Sequence, residues 1–215
     1  MTLIDYLAEN ANHVFFLAQQ HLEAVLISVS IAAVVGVGLG FFVESRPALR
    51  QASLSISGTL LTIPSYALFA LMIPLFGLGA GPTIAALTVY GIFPILQNTV
   101  TGIAGVDPAV IDAARGLGMG NRRRLIVIVF PLAWPAILNG IRVAVIMLVA
   151  TAAIAAAVAG PGLGELIFRG LARIGGANAL NEVVTGVIGV VLVALVLDLI
   201  FSLIGKFTTP RGLDV

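Results

Sequence analysis

Five long apolar runs dominate this sequence and limit the folds that it can adopt. The hydrocarbon core of a bilayer is about 30 Å thick and is crossed by an α-helix of about 20 apolar residues. Only 10% of the 215 residues are charged, whereas a soluble domain carries about 25%, so the chain has too few charges to cover a water-facing surface. We therefore predict an all-α membrane protein with a single domain, residues 1–215, and about five transmembrane helices. The predicted spans are residues 22–43, 53–76, 82–103, 132–159 and 183–205.

Prolines and closely spaced glycines modify two of these predicted spans. The second span contains Pro64 and Pro74, and a proline inside a membrane helix removes a backbone hydrogen bond that other groups must replace. We therefore expect the second span to be bent or broken. The first span carries Gly36, Gly38 and Gly40, which give it a face of small residues suited to close packing against another helix.

Residues 3–18 precede the first span and have the pattern of an amphipathic helix. The polar residues Asp5, Glu9 and Asn12 lie away from the apolar side of the helical wheel. This pattern favours a helix that lies in the membrane interface, with a frayed start of the first span as the alternative. The first twenty residues contain no Lys or Arg, so we expect no cleavable signal peptide and expect the first membrane helix to direct targeting. The apolar side comprises Leu3, Ile4, Leu7, Ala11, Val14, Phe15 and Ala18.

Composition excludes or disfavours several kinds of chemistry. The chain has no cysteine, which excludes disulfides and cysteine-based metal or redox sites. Its two histidines, His13 and His21, both lie near the N-terminus, so we predict no metal site. The net charge of +1 gives no indication of a nucleic-acid partner. The only lysine, Lys206, is followed by Phe207 and lacks the glycine-rich loop of a phosphate-binding motif, so ATP chemistry would have to come from another polypeptide.

The distribution of basic residues predicts how the chain is oriented. Cytoplasmic loops of membrane proteins are enriched in Lys and Arg. Loop 44–51, loop 104–131 and the tail after the last span together hold eight basic residues, while the opposite side holds only Arg169 and Arg173. We therefore predict that these two loops and the C-terminus are cytoplasmic and that the N-terminus is outside.

Loop 104–131 combines a favourable helix start with an unusual spacing of small residues. Asp107-Pro108 can begin a helix, because Asp accepts hydrogen bonds from free N–H groups and Pro fits the first turn. A short helix is predicted over residues 110–117, and a second one near Asn121 follows a glycine-rich interruption. A basic anchor that only fixes topology would explain the arginines of this loop, but not the spacing of its Ala and Gly residues.

That spacing resembles the EAA loop of type I ABC importer permeases, which reads E-A-A, three residues, G, nine residues, I-x-L-P. This chain has Asp112-Ala113-Ala114, then Gly118, then Ile128-Val129-Phe130-Pro131, with the same spacing throughout. Asp112 stands where the family has Glu and Phe130 where it has Leu, and both replacements are conservative. The resemblance implies the type I ABC importer fold, with a cytoplasmic coupling helix in this loop.

The resemblance also implies a set of partners. In that family the short helix of the loop fits a groove on a cytoplasmic ATP-binding subunit, which holds the ATP and Mg; this chain would be a translocation subunit, not an enzyme, with no cofactor of its own. An extracytoplasmic substrate-binding protein, a second permease chain (identical or related), surrounding membrane lipid and a bacterial inner-membrane location are implied as well. The ATPase-coupling residues implied by the motif are Asp112, Ala113, Ala114, Arg115, Gly118, Ile128 and Pro131.

Two further stretches, residues 91–108 and 138–171, look most like permeases for glycine betaine, carnitine, choline and related osmoprotectants. This similarity implies import of a quaternary amine by alternating access. Permeases for amino acids such as methionine share much of the pattern and are an alternative. A stand-alone ion-coupled carrier or channel would need a titratable relay in the membrane or duplicated halves, and neither is evident in the sequence. A non-transporting scaffold would leave the spacing of the loop unexplained.

Two opposite charges are predicted to lie within the membrane. Arg142 is in the fourth predicted span, and Asp198 lies at similar depth in the fifth. Charges inside a membrane usually pair or face a cavity. We therefore predict an ion pair that braces these two helices, with the alternative that each side chain reaches the headgroups separately.

Aromatic residues in or near the spans are candidates for contact with a quaternary ammonium, which binds over aromatic rings. The sequence offers Tyr66, Phe69, Tyr90, Phe93 and Trp134. We single out Tyr66, Tyr90 and Phe93 as candidate pathway-lining residues, because each lies near a proline of its own helix. Packing within the bundle is the alternative for all three, and Trp134 is interpreted as an anchor at the membrane interface.

Overall fold

The computed structural model describes residues 1–209, and the regular structure in this part of the chain is entirely helical. Four of these helical segments are long and apolar enough to cross a membrane, and the bent pair α2–α3 makes a fifth if it is counted as one span. The α-helices are α1 (Leu3–Val43), α2 (Pro47–Leu61), α3 (Ser65–Phe76), α4 (Ala80–Ala104), α5 (Pro108–Gly116), α6 (Asn121–Arg124), α7 (Phe130–Ala152), α8 (Gly164–Ala172) and α9 (Ala179–Thr208).

Helix α1 is one continuous helix of 41 residues, which makes it about 60 Å long at the α-helical rise. Thr2 and Asp5 form a capping box at its start, in which the Asp5 N–H donates to Thr2 Oγ1 and the Thr2 N–H donates to the Asp5 carboxylate. The separate interfacial helix expected for residues 3–18 is therefore wrong. Its residues continue directly into the first span because no Pro or Gly interrupts them, and because Leu17 is buried against Leu163 and Leu166 of the segment that follows the fourth span.

The second span is broken, as the prolines predicted. Helices α2 and α3 meet at an angle of 100° across a short break. Pro64 occupies the N-cap position of α3, where its missing N–H costs no intrahelical hydrogen bond. The carbonyl of Ile63, freed at this break, accepts a hydrogen bond from the hydroxyl of Tyr90.

Helix α4 lies between α1 and α7, and glycines allow the close approach on both sides. A Cβ added at Gly36 of α1 would lie 2.9 Å from Ile95 Cγ2, and Gly40 packs just as closely on Thr99. On the other side, a Cβ added at Gly140 of α7 would lie 2.6 Å from Asn98 Cβ. Within the described residues nothing lies within 4 Å of such a Cβ at Gly38, so two of the three predicted glycines, not all three, form the contact.

The fourth span extends farther toward the loop than the apolar run predicted. Helix α6, a π-helical segment Leu125–Val129, helix α7 and a 3-10 segment Ala153–Val158 follow one another without a break. The second short helix expected near Asn121 is thus the beginning of the span itself. The π-helical turn immediately precedes Pro131, which has no N–H to donate to the preceding turn, so the backbone widens where a regular helix would lack a hydrogen bond.

Helices α8 and α9 close the end of the bundle at which the fourth span ends, and one of its flanks. Glycines again form the contact: Gly170 of α8 lies against Val183 of α9, and Gly186 of α9 lies against Ile167 of α8. Most of the large apolar side chains of α9 remain exposed. An apolar face of this size is suited to contact with lipid or with another membrane chain.

Candidate functional site

The short helix α5 has well-defined ends that the sequence specifies. Asp107 is its N-cap and accepts a hydrogen bond of 2.8 Å from the N–H of Ala109, while Pro108 occupies the first turn. Gly118 follows the helix with φ of +75°, a conformation that costs other residues free energy because of their Cβ. The predicted start and the glycine-rich end of this helix are therefore both present, and they fix the orientation of the loop.

The two charged residues of the motif are paired with each other on the surface of α5. Arg115 Nη1 lies 3.0 Å from Asp112 Oδ1, one helical turn away, and both side chains are mostly exposed. An exposed pair of this kind contributes little to stability. Both side chains therefore remain accessible to a partner at the rim of the helix.

The small residues of the motif point in different directions. Ala113 is exposed, whereas Ala114 is only 4% exposed and faces the chain itself. Beside Ala113 lie Val110 and Leu117, with exposures of 40% and 84%. Residues three and four positions apart share one face of a helix, so Val110, Ala113 and Leu117 form an outward apolar stripe. We call this stripe the outer face of α5.

The inner side of the loop is packed against the ends of two spans. Ile111 of α5 contacts a buried cluster that includes Ile103 near the end of α4, Val106 just after α4, and Val129 just before α7. This cluster joins the loop to both neighbouring spans. Ile111 and Val106 were not singled out from the sequence. Ile111 is an apolar residue beside the polar Asp112 in an otherwise polar loop, and this pattern could have indicated that Ile111 packs toward the membrane helices.

The second half of the motif lies within the first turns of the fourth span. Ile128 is half-buried within the π-helical segment, and Pro131 is exposed in the first turn of α7. The helix is continuous from Asn121 onward, so no break separates Ile128 from α7.

Arg142 and Asp198 form a bidentate ion pair between α7 and α9. Arg142 Nε lies 2.6 Å from Asp198 Oδ1, and Arg142 Nη2 lies 2.8 Å from Asp198 Oδ2. Their side chains keep 39% and 35% of their surface exposed. The pair therefore lies at the surface of this chain, where both groups can still be approached from outside.

Two asparagines lie close to this pair and were missed in the sequence. Asn139 of α7 donates a hydrogen bond of 3.2 Å to the side-chain oxygen of Asn98 on α4. Asn98 in turn donates to the carbonyl of Pro94. Two amides inside otherwise apolar spans were the available signal, because a polar side chain within a membrane is expected to have a partner or to face a cavity.

Burial separates the three candidate pathway aromatics from one another. Tyr90 is only 4% exposed and its hydroxyl is bonded to Ile63, so it belongs to the core, whereas Tyr66 is 59% exposed. Phe93 is half-buried beside Gly58 of α2. Trp134 donates a hydrogen bond of 2.8 Å to Thr208 Oγ1, so it ties α7 to the end of α9.

Comparison with known proteins agrees with this arrangement. Residues 32–211 match the family described as the inner membrane component of binding-protein-dependent transport systems. The chain is 36% identical to the osmoprotectant import permease protein OsmW of Salmonella typhimurium, over 99% of this chain and 100% of the relative. It is 32% identical to the glycine betaine/carnitine/choline transport system permease protein OpuCB of Bacillus subtilis, over 99% of this chain and 96% of the relative.

Solved structures share the fold. The methionine ABC transporter MetNI, in an inward-facing conformation, superposes with a TM-score of 0.81 at 21% identity, over 92% of this chain and 96% of the other. An amino acid ABC transporter with histidines superposes with a TM-score of 0.74 at 18% identity, over 96% and 99%. The predicted type I importer fold is thereby confirmed. The chain belongs to the family of binding-protein-dependent transport system inner membrane components and is a multi-pass permease subunit of an ABC importer.

Proposed function

We propose that this permease imports quaternary-amine osmoprotectants such as glycine betaine, carnitine or choline into a bacterial cell, by alternating access. The observation that supports this substrate class best is the similarity over nearly the full length to permeases named for these compounds. An amino acid such as methionine is the second candidate, because the fold is shared with a methionine transporter. That likeness is at 21% identity and concerns the fold alone, so it supports the second candidate less strongly.

The outer face of α5 is the proposed docking site for the ATP-binding subunit. An exposed apolar stripe on a capped, rigid helix is suited to insertion into a groove of a partner. The exposed pair of Asp112 and Arg115 would lie at the rim of that groove. ATP and Mg would be bound by the partner, and this chain would contribute no catalytic group.

The packing of α5 provides a route for coupling. A force on the outer face of α5 passes through Ile111 to the cluster containing Val106 and Val129, and hence to α4 and α7. Rigid elements of this kind can convert closure of a partner into a change between two arrangements of a helix bundle. Because the coupling is a free energy, the state of the membrane helices also changes the affinity of the partner for nucleotide.

The remaining partners and the orientation are part of the same proposal. The excess of basic residues in loops 44–51 and 104–131 supports a cytoplasmic location for α5 and an external N-terminus. The extracytoplasmic side, with α8, would then receive a substrate-binding protein. A second permease chain, identical or related, would complete the pathway, since one chain of this size encloses no continuous channel by itself.

The test is reconstitution of the complete importer. The chain is produced together with the ATP-binding subunit and the substrate-binding protein of the same organism, and uptake of radiolabelled glycine betaine, carnitine, choline and methionine into proteoliposomes is measured. ATP-dependent uptake of at least one quaternary amine, with little uptake of methionine, is expected. Uptake of methionine alone would show that the substrate is an amino acid and not a quaternary amine. Failure of the ATPase to co-purify, together with uptake that persists without ATP, would overturn the proposal.

A further inference from the structure

A group of polar side chains lies on the outer surface of this chain at membrane depth. It consists of Asn98, Asn139, Arg142 and Asp198, and we call it the polar face. Arg142 is twelve residues into α7 and Asp198 is ten residues from the end of α9, which places them about 15–18 Å from these helix ends at the α-helical rise. Asn139 is exposed, and the other three are half-buried.

The polar face is unsuited to contact with lipid. Charged and amide groups exposed to hydrocarbon cost several kcal/mol and in membrane proteins almost always face a cavity or a protein interior. Most of the exposed large apolar side chains of α9 are leucine, isoleucine and valine, which are suited to contact with lipid. The polar face must therefore meet water or another polar surface when the importer is assembled.

An open cavity of about 210 Å³ adjoins the polar face. Asn139, Arg142, Phe201, Ser202 and Lys206 are among the residues that line it. The cavity thus combines amide, guanidinium, hydroxyl and ammonium groups with one aromatic ring. Such a mixture of a few convergent polar groups in a concave site is typical of small-molecule binding.

The hydrogen bonds of the ion pair leave capacity for a ligand. A guanidinium has five N–H donors, and Asp198 engages one on Nε and one on Nη2 of Arg142. Within residues 1–209 no other side chain takes a hydrogen bond from the remaining donors of Arg142. A carboxylate is the group that arginine binds best, and the amide of Asn139 lies on the same wall of the cavity.

A positively charged group of the same ligand can be bound beside the site for its carboxylate. Asp198 carries the negative charge of the pair and lies about one helical turn before Phe201, and Phe201 lines the cavity. Quaternary ammonium groups bind favourably over aromatic rings. The ion pair therefore offers a positive and a negative group to a ligand, and Phe201 offers an aromatic ring close to the negative group.

We propose that the polar face lines the water-filled path through the importer and binds the head groups of a zwitterionic solute that carries a carboxylate and a quaternary ammonium. Arg142 and Asn139 hold the carboxylate, and Asp198 with Phe201 holds the ammonium. This proposal rests on the proposed import of quaternary amines and adds a distinction within that class. Glycine betaine and carnitine carry a carboxylate, whereas choline does not.

The first test is chemical labelling, and the natural absence of cysteine from this chain makes it direct. Asn139→Cys and Ser202→Cys place a thiol on the cavity wall, and Ile200→Cys serves as the control. Ile200 is two residues from Ser202, which puts it about 160° around the helix at nearly the same depth, and it is 44% exposed. The complete importer in proteoliposomes is treated with a charged, membrane-impermeant thiol reagent, and labelling of this chain is followed with time.

The expected result is that Asn139→Cys and Ser202→Cys are labelled at least tenfold faster than Ile200→Cys, and that glycine betaine slows the labelling of Ser202→Cys, which keeps the amide of Asn139. Equal rates at all three positions would overturn the aqueous path along the polar face. Fast labelling of Ser202→Cys that glycine betaine does not slow, in an importer that transports glycine betaine, would overturn the binding of the zwitterion. The contrast with Ile200→Cys needs no knowledge of the substrate, so it stays interpretable even if the proposed substrate class fails.

The second test distinguishes a role of the polar face in binding the solute from a role in holding the helices together. Asn139→Ala removes one amide and leaves the ion pair intact. Loss of a hydrogen bond to a charged group is expected to raise KM for glycine betaine about tenfold, while KM for choline changes less than twofold. Equal changes for both solutes, or none for either, would mean that Asn139 acts only in packing.

Discussion

His21 of α1 donates a hydrogen bond from Nε2 to the carbonyl of Val149 on α7, over 3.0 Å, and its imidazole is fully buried. Val149 lies in the last turn of α7, which ends at Ala152 and passes directly into the 3-10 segment Ala153–Val158. His21 therefore bonds to the backbone of the fourth span where its helical geometry changes. The bond links the first and fourth spans at the end of the bundle opposite α5.

His21→Phe is expected to destabilise the protein by about 1–3 kcal/mol, because a buried carbonyl loses its donor. His21→Gln is the matched control, since its side-chain amide can donate from nearly the same position. The measurement is the apparent Tm of the purified chain in detergent, followed by size-exclusion chromatography after heating. A Tm for His21→Phe equal to that of the wild type would show that the hydrogen bond makes no net contribution to the stability of the protein.

Gly162 lies directly against the same histidine. A Cβ added at residue 162 would lie 2.8 Å from both Cβ and Nδ1 of His21, and the φ angle of Gly162 is +116°. Gly162→Ala is therefore expected to lower Tm by several degrees, through both backbone strain and crowding. Gly175→Ala is the control for strain alone: its φ is +87°, and no atom of the described chain lies within 4 Å of the added Cβ. Equal effects of the two substitutions would argue against crowding on His21.

The membrane spans were predictable because each needs a long apolar run, but the ends of the helices were not. Hydropathy marks the part of a helix that faces hydrocarbon, while the helix itself continues until Pro, Gly or lost packing stops it. Helix α1 therefore begins at Leu3 instead of near residue 22, and the fourth span begins at Asn121 among polar residues. The break at Pro64 was predictable because proline acts locally on the backbone.

Loop 104–131 and the polar face also differ in how far the sequence predicts them. The caps of α5 depend on neighbouring residues, so Asp107 and Gly118 could be read directly from the sequence. The inward orientation of Ala114 and the contact between Asn98 and Asn139 depend on how distant helices pack. Pairing of Arg142 with Asp198 could be predicted because few other charged residues lie at that depth in the spans. The spans contain many aromatic residues, so the sequence could not indicate which of them line the pathway.

Leu117 offers a test of the outer face of α5. It is 84% exposed in the isolated chain, so Leu117→Glu is expected to leave folding unchanged and to reduce co-purification of the ATP-binding subunit at least tenfold, because a charge would enter an apolar groove. Leu180→Glu is the control, since Leu180 is 74% exposed at the start of α9, on the opposite side of the membrane. Full ATPase recovery with Leu117→Glu would exclude this face as the docking surface.

Neighbouring alanines in the motif are expected to respond differently to the same enlargement. Ala114→Leu adds a bulky side chain to a buried position and should destabilise the chain by about 1–3 kcal/mol. Ala113→Leu changes an exposed position, so it should leave Tm within about 1 °C and act only on binding of the ATP-binding subunit. Both quantities are measured on the same preparations. Similar losses of Tm for the two variants would contradict the orientation of α5.

The ion pair between α7 and α9 can be tested by reversal of its charges. Arg142→Asp and Asp198→Arg each place like charges opposite one another at membrane depth, so each single variant is expected to lose most of its assembled importer. The double variant restores an ion pair with reversed polarity and should recover assembly, measured as the yield of complex after purification. It should not recover uptake of glycine betaine, because the carboxylate would then meet Asp at position 142 instead of a guanidinium. Recovery of both assembly and uptake would leave the pair as a brace without a role in binding, while recovery of neither would show that the two helices require the original polarity.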